Sequence, residues 1–313
     1  MMGSFSRRDF LVRSAAGVSA AAAGQFLAFG ADDEQKPADM TNARWKGEGT
    51  PAAEELSQIA TRLTENALAG VGGLGRFVGK GDVVWVKPNI GWDRTPELAA
   101  NCNPDVVATI VRLCFEAGAK TVKVGDNPCD VAAKAYASSG IPAAVRPLGA
   151  EVITLDRSRV RETAIKGEKV KTIPMFPEIL DCDLVISVAV AKHHALANAT
   201  LCMKNYMGVI EKRQTFHQAM PVCIADLTRF MKPKIAILDA VRVLTAPGPK
   251  GGNLADVAMK TTAAAGVDLV ALDALGAEVL GKKPTDIPSI VKGQEVGLGK
   301  MDYRSLALKE VAI

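Results

Sequence analysis

Apolar residues recur along this chain with two periods. Runs of four to seven, bounded by turn residues, have the length of buried strands, while stripes spaced three and four apart read as helices. Leu56, Ile59, Leu63 and Ala67 form such a stripe and predict an amphipathic helix over 51–68. A strand over 82–86 follows and is expected to stop at Pro88, because proline donates nothing to a ladder. Val106, Ile110, Leu113 and Ala117 predict a helix over 105–117, opened by Asn103 and Pro104 and ended by Gly118. Strands at 121–124 and 151–155 are separated by a helix over 130–138, and 163–166 and 169–173 flank Gly167-Glu168 as a hairpin. A short helix near 177–180 introduces the apolar run Leu184 to Val190, which predicts one buried strand. Beyond it come a helix over 221–231, a strand over 234–238, a short strand near Val267, a mostly helical stretch over 269–280, and a tail of short helix and turn over 287–299.

Strands alternating with helices predict an α/β fold, a mainly parallel sheet flanked by helices with a small hairpin excursion. Residues 51–313 are expected to form a single α/β domain, preceded by a polar linker over 31–50. Gly70-Val71-Gly72-Gly73-Leu74-Gly75 matches a dinucleotide fingerprint literally, but it follows a helix and precedes a strand, the reverse of what that fingerprint needs.

Four of the strands share one design, apolar inside and polar at the C-terminal end: Lys87 and Asn89; Asp126 and Asn127; Lys192, His193 and His194; Asp239 and Arg242. In a parallel sheet these ends lie on one edge, where ligands bind. The residue types suit an anion, a metal, or both. Lys192, His193 and Lys204 are the candidates for acid–base work. Lys87, Asn89, Asn205 and Arg242 are candidates for holding a carboxylate or phosphate, with the backbone of Gly251 and Gly252 in the Pro-Gly-Pro-Lys-Gly-Gly loop. Asp126, His194 and Asp239 are candidate ligands of a divalent metal, with Asp226 a further oxygen donor. His193 and His194 are adjacent, so on an extended strand they face opposite ways and only one enters the site. His217 reads as a surface or core residue rather than a ligand.

These pieces resemble the domain of unknown function 362 family. The resemblance rests on Val86-Lys87-Pro88-Asn89, Glu116 to Lys120 before Val124-Gly125-Asp126, Asp183 to Val188 leading to Lys192-His193, Met203 to Gly208, Ile224 to Leu227, Leu238-Asp239-Ala240 and Gly248 to Gly252, in order across about residues 80–300. It implies a shared scaffold more than a reaction. Some members carry a ferredoxin-like iron–sulfur segment, and this sequence is expected to be a member without one.

Composition narrows the function classes. Hydrophobic residues make up 48% of the 313, enough for a large core. The net charge of +4 falls to +2 without the first 30 residues, and aromatic residues are 5%, so neither phosphate neutralisation nor base stacking is supported and no nucleic-acid partner is expected. Residues 1–30, with Ser6-Arg7-Arg8-Asp9-Phe10-Leu11 ahead of an Ala-rich run, read as a twin-arginine export signal. The expected partners are therefore the twin-arginine export machinery and a small anionic ligand, the expected location is periplasmic or otherwise exported, and no stable membrane span is expected. Six cysteines then meet an oxidising compartment. None are spaced C-x-x-C; Cys102, Cys129 and Cys202 fall in or beside the site loops, where separate buried thiols, a disulfide and a metal or cluster site all remain open.

The leading expectation is an enzyme acting on a small carboxylate or phosphate, with a divalent metal as the candidate cofactor. The alternatives are a metal- or ligand-binding carrier, and a redox protein holding an iron–sulfur cluster through those cysteines. Replacing Arg7 and Arg8 by Lys is expected to leave the protein in the cytoplasm, as checked by cell fractionation; unchanged export would remove the twin-arginine reading.

Overall fold

A computed structural model describes residues 36–313. The export signal read over 1–30 and the start of the 31–50 linker lie outside the described residues. The rest of that linker is not loop throughout: Met40–Arg44 is a strand, β1, with Met40 and Ala43 fully buried. Three of its five side chains are polar, so it carries little strand signal, yet β1 is paired on both sides.

Helix α1, Ala53–Gly70, buries Leu56, Ile59, Leu63 and Ala67 as the stripe predicts. β2, Val83–Pro88, runs one residue past Lys87: Pro88 lies in register with Val188 of a neighbouring parallel strand, so proline does not end the ladder. α2, Pro104–Glu116, is capped by Asn103, whose side chain accepts from Asp105 N at 2.8 Å. β3, Thr121–Val124, leads to α3, Ala132–Ser139, and α4, Ile141–Val145; β4 is only Glu151–Val152. β5, Arg161–Ala164, and β6, Thr172–Met175, form the separate antiparallel hairpin. A single turn, α5, Pro177–Leu180, precedes β7.

β7 spans Leu184–His194, eleven residues, and carries Lys192, His193 and His194 inside the strand rather than beyond it. The extension is held by β8, Asn198–Thr200, which folds back antiparallel with Lys192 opposite Thr200 and His194 opposite Asn198. α6, Cys202–Asn205, follows at once, and then α7, Met220–Met231. β9, Ala236–Leu244, likewise continues through Asp239. β10, Val257–Gly266, is a ten-residue strand where only a short one near Val267 is expected. Its run Ala263-Ala264-Ala265 has low strand propensity, but all three are fully buried, and small side chains let α1 lie close to the sheet. α8, Leu269–Val279, α9, Pro288–Glu295, and β11, Leu308–Ala312, complete the described chain.

Among the described residues the main sheet has nine strands in the order β11-β1-β10-β9-β7-β2-β3-β4, with β8 appended to β7. The pairs from β9 to β4 are parallel, while β10 is antiparallel to both of its neighbours. One apolar core packs α1 and α2 on one face, and the other packs α6 to α9. β9, β7, β2 and β3, the four strands with polar ends, are consecutive in the sheet. The order reverses between β2 and β7: the chain moves outward through β3 and β4, then returns to build on the other side. That is a topological switch point.

Asp226, buried on α7, holds the hairpin to this body. Its carboxylate accepts from Glu168 N at 2.7 Å, Lys169 N at 2.7 Å and Val170 N at 2.9 Å. These bonds occupy the oxygens proposed from sequence for a cation, and the side chain lies at the hairpin turn rather than at the strand ends. Asp226→Ala leaves these amides without their acceptor and is expected to cost about 2–4 kcal/mol, read as a lower urea midpoint with proteolysis first at 165–172. An unchanged midpoint would show that solvent replaces the carboxylate.

Candidate functional site at the switch point

Lys87, at the end of β2, is fully buried. Its Nζ lies 2.8 Å from Asp126 Oδ1 and donates to Asn205 Oδ1 at 3.0 Å and to Pro88 O at 3.3 Å. Burial lowers its pKa and the Asp126 charge opposes that shift. Asp126, two residues beyond β3, also accepts from Ile90 N at 2.9 Å and Asn127 N at 2.9 Å. Asn205 on α6 donates to Lys87 O, Ser187 Oγ and Val188 O at 3.0–3.1 Å, so one amide ties α6 to β2 and β7. The backbone of Gly208 closes over this group. A Cβ there would stand 1.8 Å from Asp126 Oδ1 and 2.7 Å from Lys87 Nζ, so only glycine fits.

Lys192 lies on the other side of the switch point and is buried in a different way. Its Nζ donates to Asn89 Oδ1 at 2.8 Å and to the Ala100 carbonyl. Both acceptors are neutral, and among the described residues no carboxylate stands within ion-pair distance. Burial, then repulsion from Lys204, lowers the Lys192 pKa to about 7. Lys204, on α6, has no ion-pair partner among the described residues either, and burial lowers it to about 8. His194 Nδ1 accepts from Leu196 N and Ala197 N, each at 3.2 Å. Burial and the two lysines depress its pKa to about 3. The imidazole is therefore neutral near pH 7 with its proton on Nε2, a donor toward the site.

These groups line one cavity of about 60 Å³: Asn89, Asp126, Lys192, His194, Lys204 and Asn205, with Trp92, Cys129, Arg213 and Pro249. Lys87 sits beneath it, joined through Asp126 and Asn205. Of the sequence candidates, His193, Arg242, Gly251, Gly252, Asp226 and Asp239 are not brought to it. His193 points to a strap formed by the loop over 247–253, accepting from Gly248 N at 2.9 Å through Nδ1. Arg242 lies on β9 opposite Met259, outside the lining. Gly251 and Gly252 also lie outside it; the strap reaches the cavity through Pro249. His217 is exposed and does not line it.

The structure does not bring the metal candidates Asp126, His194 and Asp239 together. Asp239 does not line the cavity, and its carboxylate accepts from Asn103 N at 2.7 Å and Val241 N at 3.1 Å. The Asp126 oxygens are engaged by Lys87 and two amides, and His194 presents N–H rather than a lone pair. Among the described residues no three His, Cys, Asp or Glu side chains gather as a ligand set. The donor set thus does not fit a divalent cation. The cysteines do not fit a cluster or a disulfide. All are free; Cys102 and Cys202 are buried with thiol pKa values pushed up by burial, while Cys129 is exposed at the cavity.

Three functional positions were not found from the sequence. Arg213 lines the cavity while donating to the carbonyls of Asn127 and Pro128. Asn101 binds Gly91 N, Trp92 N, Trp92 O and Arg94 O, fixing the loop that presents Ala100 O to Lys192. Asp273 on α8 accepts from Cys202 N at 2.6 Å and Met203 N at 3.2 Å, and so holds the first turn of α6, which carries Lys204. The nearby Lys212-Arg213 pair was the one signal available for the first of these; the other two depend on loop geometry alone. A larger cavity, about 400 Å³, lies at the opposite edge beside Leu184 and Phe230, away from these groups.

Comparison with known proteins gives three findings. The family model described as a domain of unknown function (DUF362) matches residues 84–278. A thylakoid-associated protein of Synechocystis sp. is 27% identical over 238 residues, covering 73% of this chain and 72% of that one. Among solved structures, the lactate racemase apoprotein of Thermoanaerobacterium thermosaccharolyticum is similar with a TM-score of 0.43 at 12% identity, and a Thermotoga maritima protein with 0.39 at 10%. Each alignment covers 80% of this chain, and the chain spans 58% and 60% of those structures.

The two lysines fix a pH dependence. Their folded pKa values lie below the ordinary 10.5, so between about 7 and 10.5 the unfolded chain holds more protons. Stability from these groups therefore rises with pH across that window. The melting temperature of the wild type is expected to gain on that of Lys192→Met/Lys204→Met from pH 7 to 9.5. Parallel pH curves would show that both lysines titrate normally.

Proposed function

The chain belongs to the family described as domain of unknown function 362, and on that premise we propose that it is an exported enzyme. In this reading it binds a small carboxylate or phosphate at the switch point and moves a proton there with Lys192. The observation that carries the reading is the pair of lysines at about 7 and about 8 on one cavity, with no carboxylate within ion-pair distance of either among the described residues.

Each group has a role set by its environment. A lysine near pKa 7 is part neutral at neutral pH, which suits a base. The two neutral acceptors of Lys192 occupy two of its N–H bonds in either protonation state. The third tetrahedral position is left for a ligand, as a lone pair when neutral and as N–H when charged. Lys204 remains mainly cationic at pH 7 and, with Arg213, supplies charge for the anion. His194 Nε2–H adds a neutral donor. Lys87 is not a base in this scheme, because it does not line the cavity and its Nζ is engaged by Asp126 and Asn205. Export rests on the residue 1–30 signal alone.

Isothermal titration with inorganic phosphate and with acetate tests the site. Binding is expected to take up protons, because an anion raises both lysine pKa values, and to weaken as pH rises from 7 to 9. Lys192→Met and Lys204→Met are each expected to weaken it by about tenfold or more, the scale of losing one charged hydrogen bond. Lys192→Arg, which cannot become neutral, is expected to keep binding with less proton uptake. No binding at millimolar anion, or binding indifferent to both Met substitutions, would remove the reading.

A further inference from the structure

The cavity admits only the head of a ligand. At roughly 15 Å³ per water, its volume of about 60 Å³ holds about four water-sized groups. That is a carboxylate or phosphate and little else. Anything larger continues through the mouth.

The segments around the mouth are continuous with the lining. Cys129 leads in two residues to Val131, and His194 leads to Leu196, whose own N–H donates to His194 Nδ1 at 3.2 Å. Pro249 leads through the strap to Leu254. The strap is tied to both other segments: Gly248 O accepts from Ala195 N at 3.2 Å, and Lys250 Nζ lies 3.1 Å from Asp130 and 5.6 Å from the Trp92 ring centre. Val131, Leu254 and Leu196 are 65%, 63% and 55% exposed, the most exposed large apolar side chains among the described residues. Such side chains scattered singly need no explanation. Here all three lie within two to five residues of a residue that lines one small cationic cavity.

We propose that the ligand is an amphipathic anion. Its carboxylate or phosphate head is held by Lys192, Lys204 and Arg213, and its hydrocarbon chain leaves over Val131, Leu196 and Leu254. This rests on the anion-binding reading above and extends it to the class of ligand. A chain lying on an open rim is half covered, so each methylene tightens binding by about twofold, less than the roughly fourfold of full burial.

Calorimetry with inorganic phosphate and with methyl, butyl, hexyl and octyl phosphate is the test. The dissociation constant is expected to fall with chain length. In Val131→Ser/Leu196→Ser/Leu254→Ser that slope flattens while inorganic phosphate binds as before. Phosphatidylcholine vesicles with and without phosphatidic acid separate two sources of such a head. Sedimentation that needs phosphatidic acid and is lost in the triple variant assigns a membrane lipid, whereas binding of the soluble esters alone assigns a free amphiphile; both uphold the proposal. Phosphate binding with no chain-length slope, or a slope unchanged in the triple variant, overturns it and leaves the anion site standing. If neither phosphate nor any ester binds, both readings fall.

Discussion

Lys87 Nζ stands 2.8 Å from Asp126 Oδ1 in the interior, and much of the site follows from that pair. Removing both ions from water costs several kcal/mol per ion. The attraction offsets it only if the remaining polar positions are satisfied. Asn205 and the Pro88 carbonyl take the other Lys87 protons, while the Ile90 and Asn127 amides serve Asp126. The partners come from three segments. The pair therefore brings together the end of β2, the loop after β3 and the end of α6, and it excludes any side chain at Gly208.

The buried aspartates share a second function, which is to cap backbone. Asp226 closes the hairpin turn, Asp239 holds the loop before α2, and Asp273 holds the first turn of α6. Burial raises Asp239 to about 6 and Asp273 to about 7, with the amide bonds acting against that rise. A carboxylate at a strand end among apolar residues is thus as suited to backbone amides as to a metal. The residue type alone does not separate the two, because both supply positive charge at similar range.

This is why the sheet edge was legible in the sequence and its finer chemistry was not. The polar ends of β2, β3, β7 and β9 announced a common edge, because strand period and parallel topology act over single segments. Asn89, Lys192 and His194, named from the strand ends, lie at the cavity, as do Lys204 and Asn205, which the stretch after β7 offered. Arg242 and His193 were misplaced by local details: His193 is taken by the strap's amide, and Arg242 lies further along a strand longer than its apolar run. β1, most of β10 and β11 escaped notice because pairing to neighbours distant in sequence sustains them. Met40–Arg44 and the alanines of β10 show little preference of their own.

Lys87 and Lys192 show how one residue type acquires two behaviours across a single switch point. Lys87 faces a carboxylate, so burial and pairing act against each other. Lys192 faces an amide oxygen and a carbonyl oxygen, which accept from an amine as well as from an ammonium. Asp126, beyond ion-pair distance, offsets the loss of water only in part, and Lys204 adds repulsion. The proposed anion site rests on this contrast: Lys87 is paired within the fold, while Lys192 and Lys204 face a small cavity with no carboxylate within ion-pair distance among the described residues.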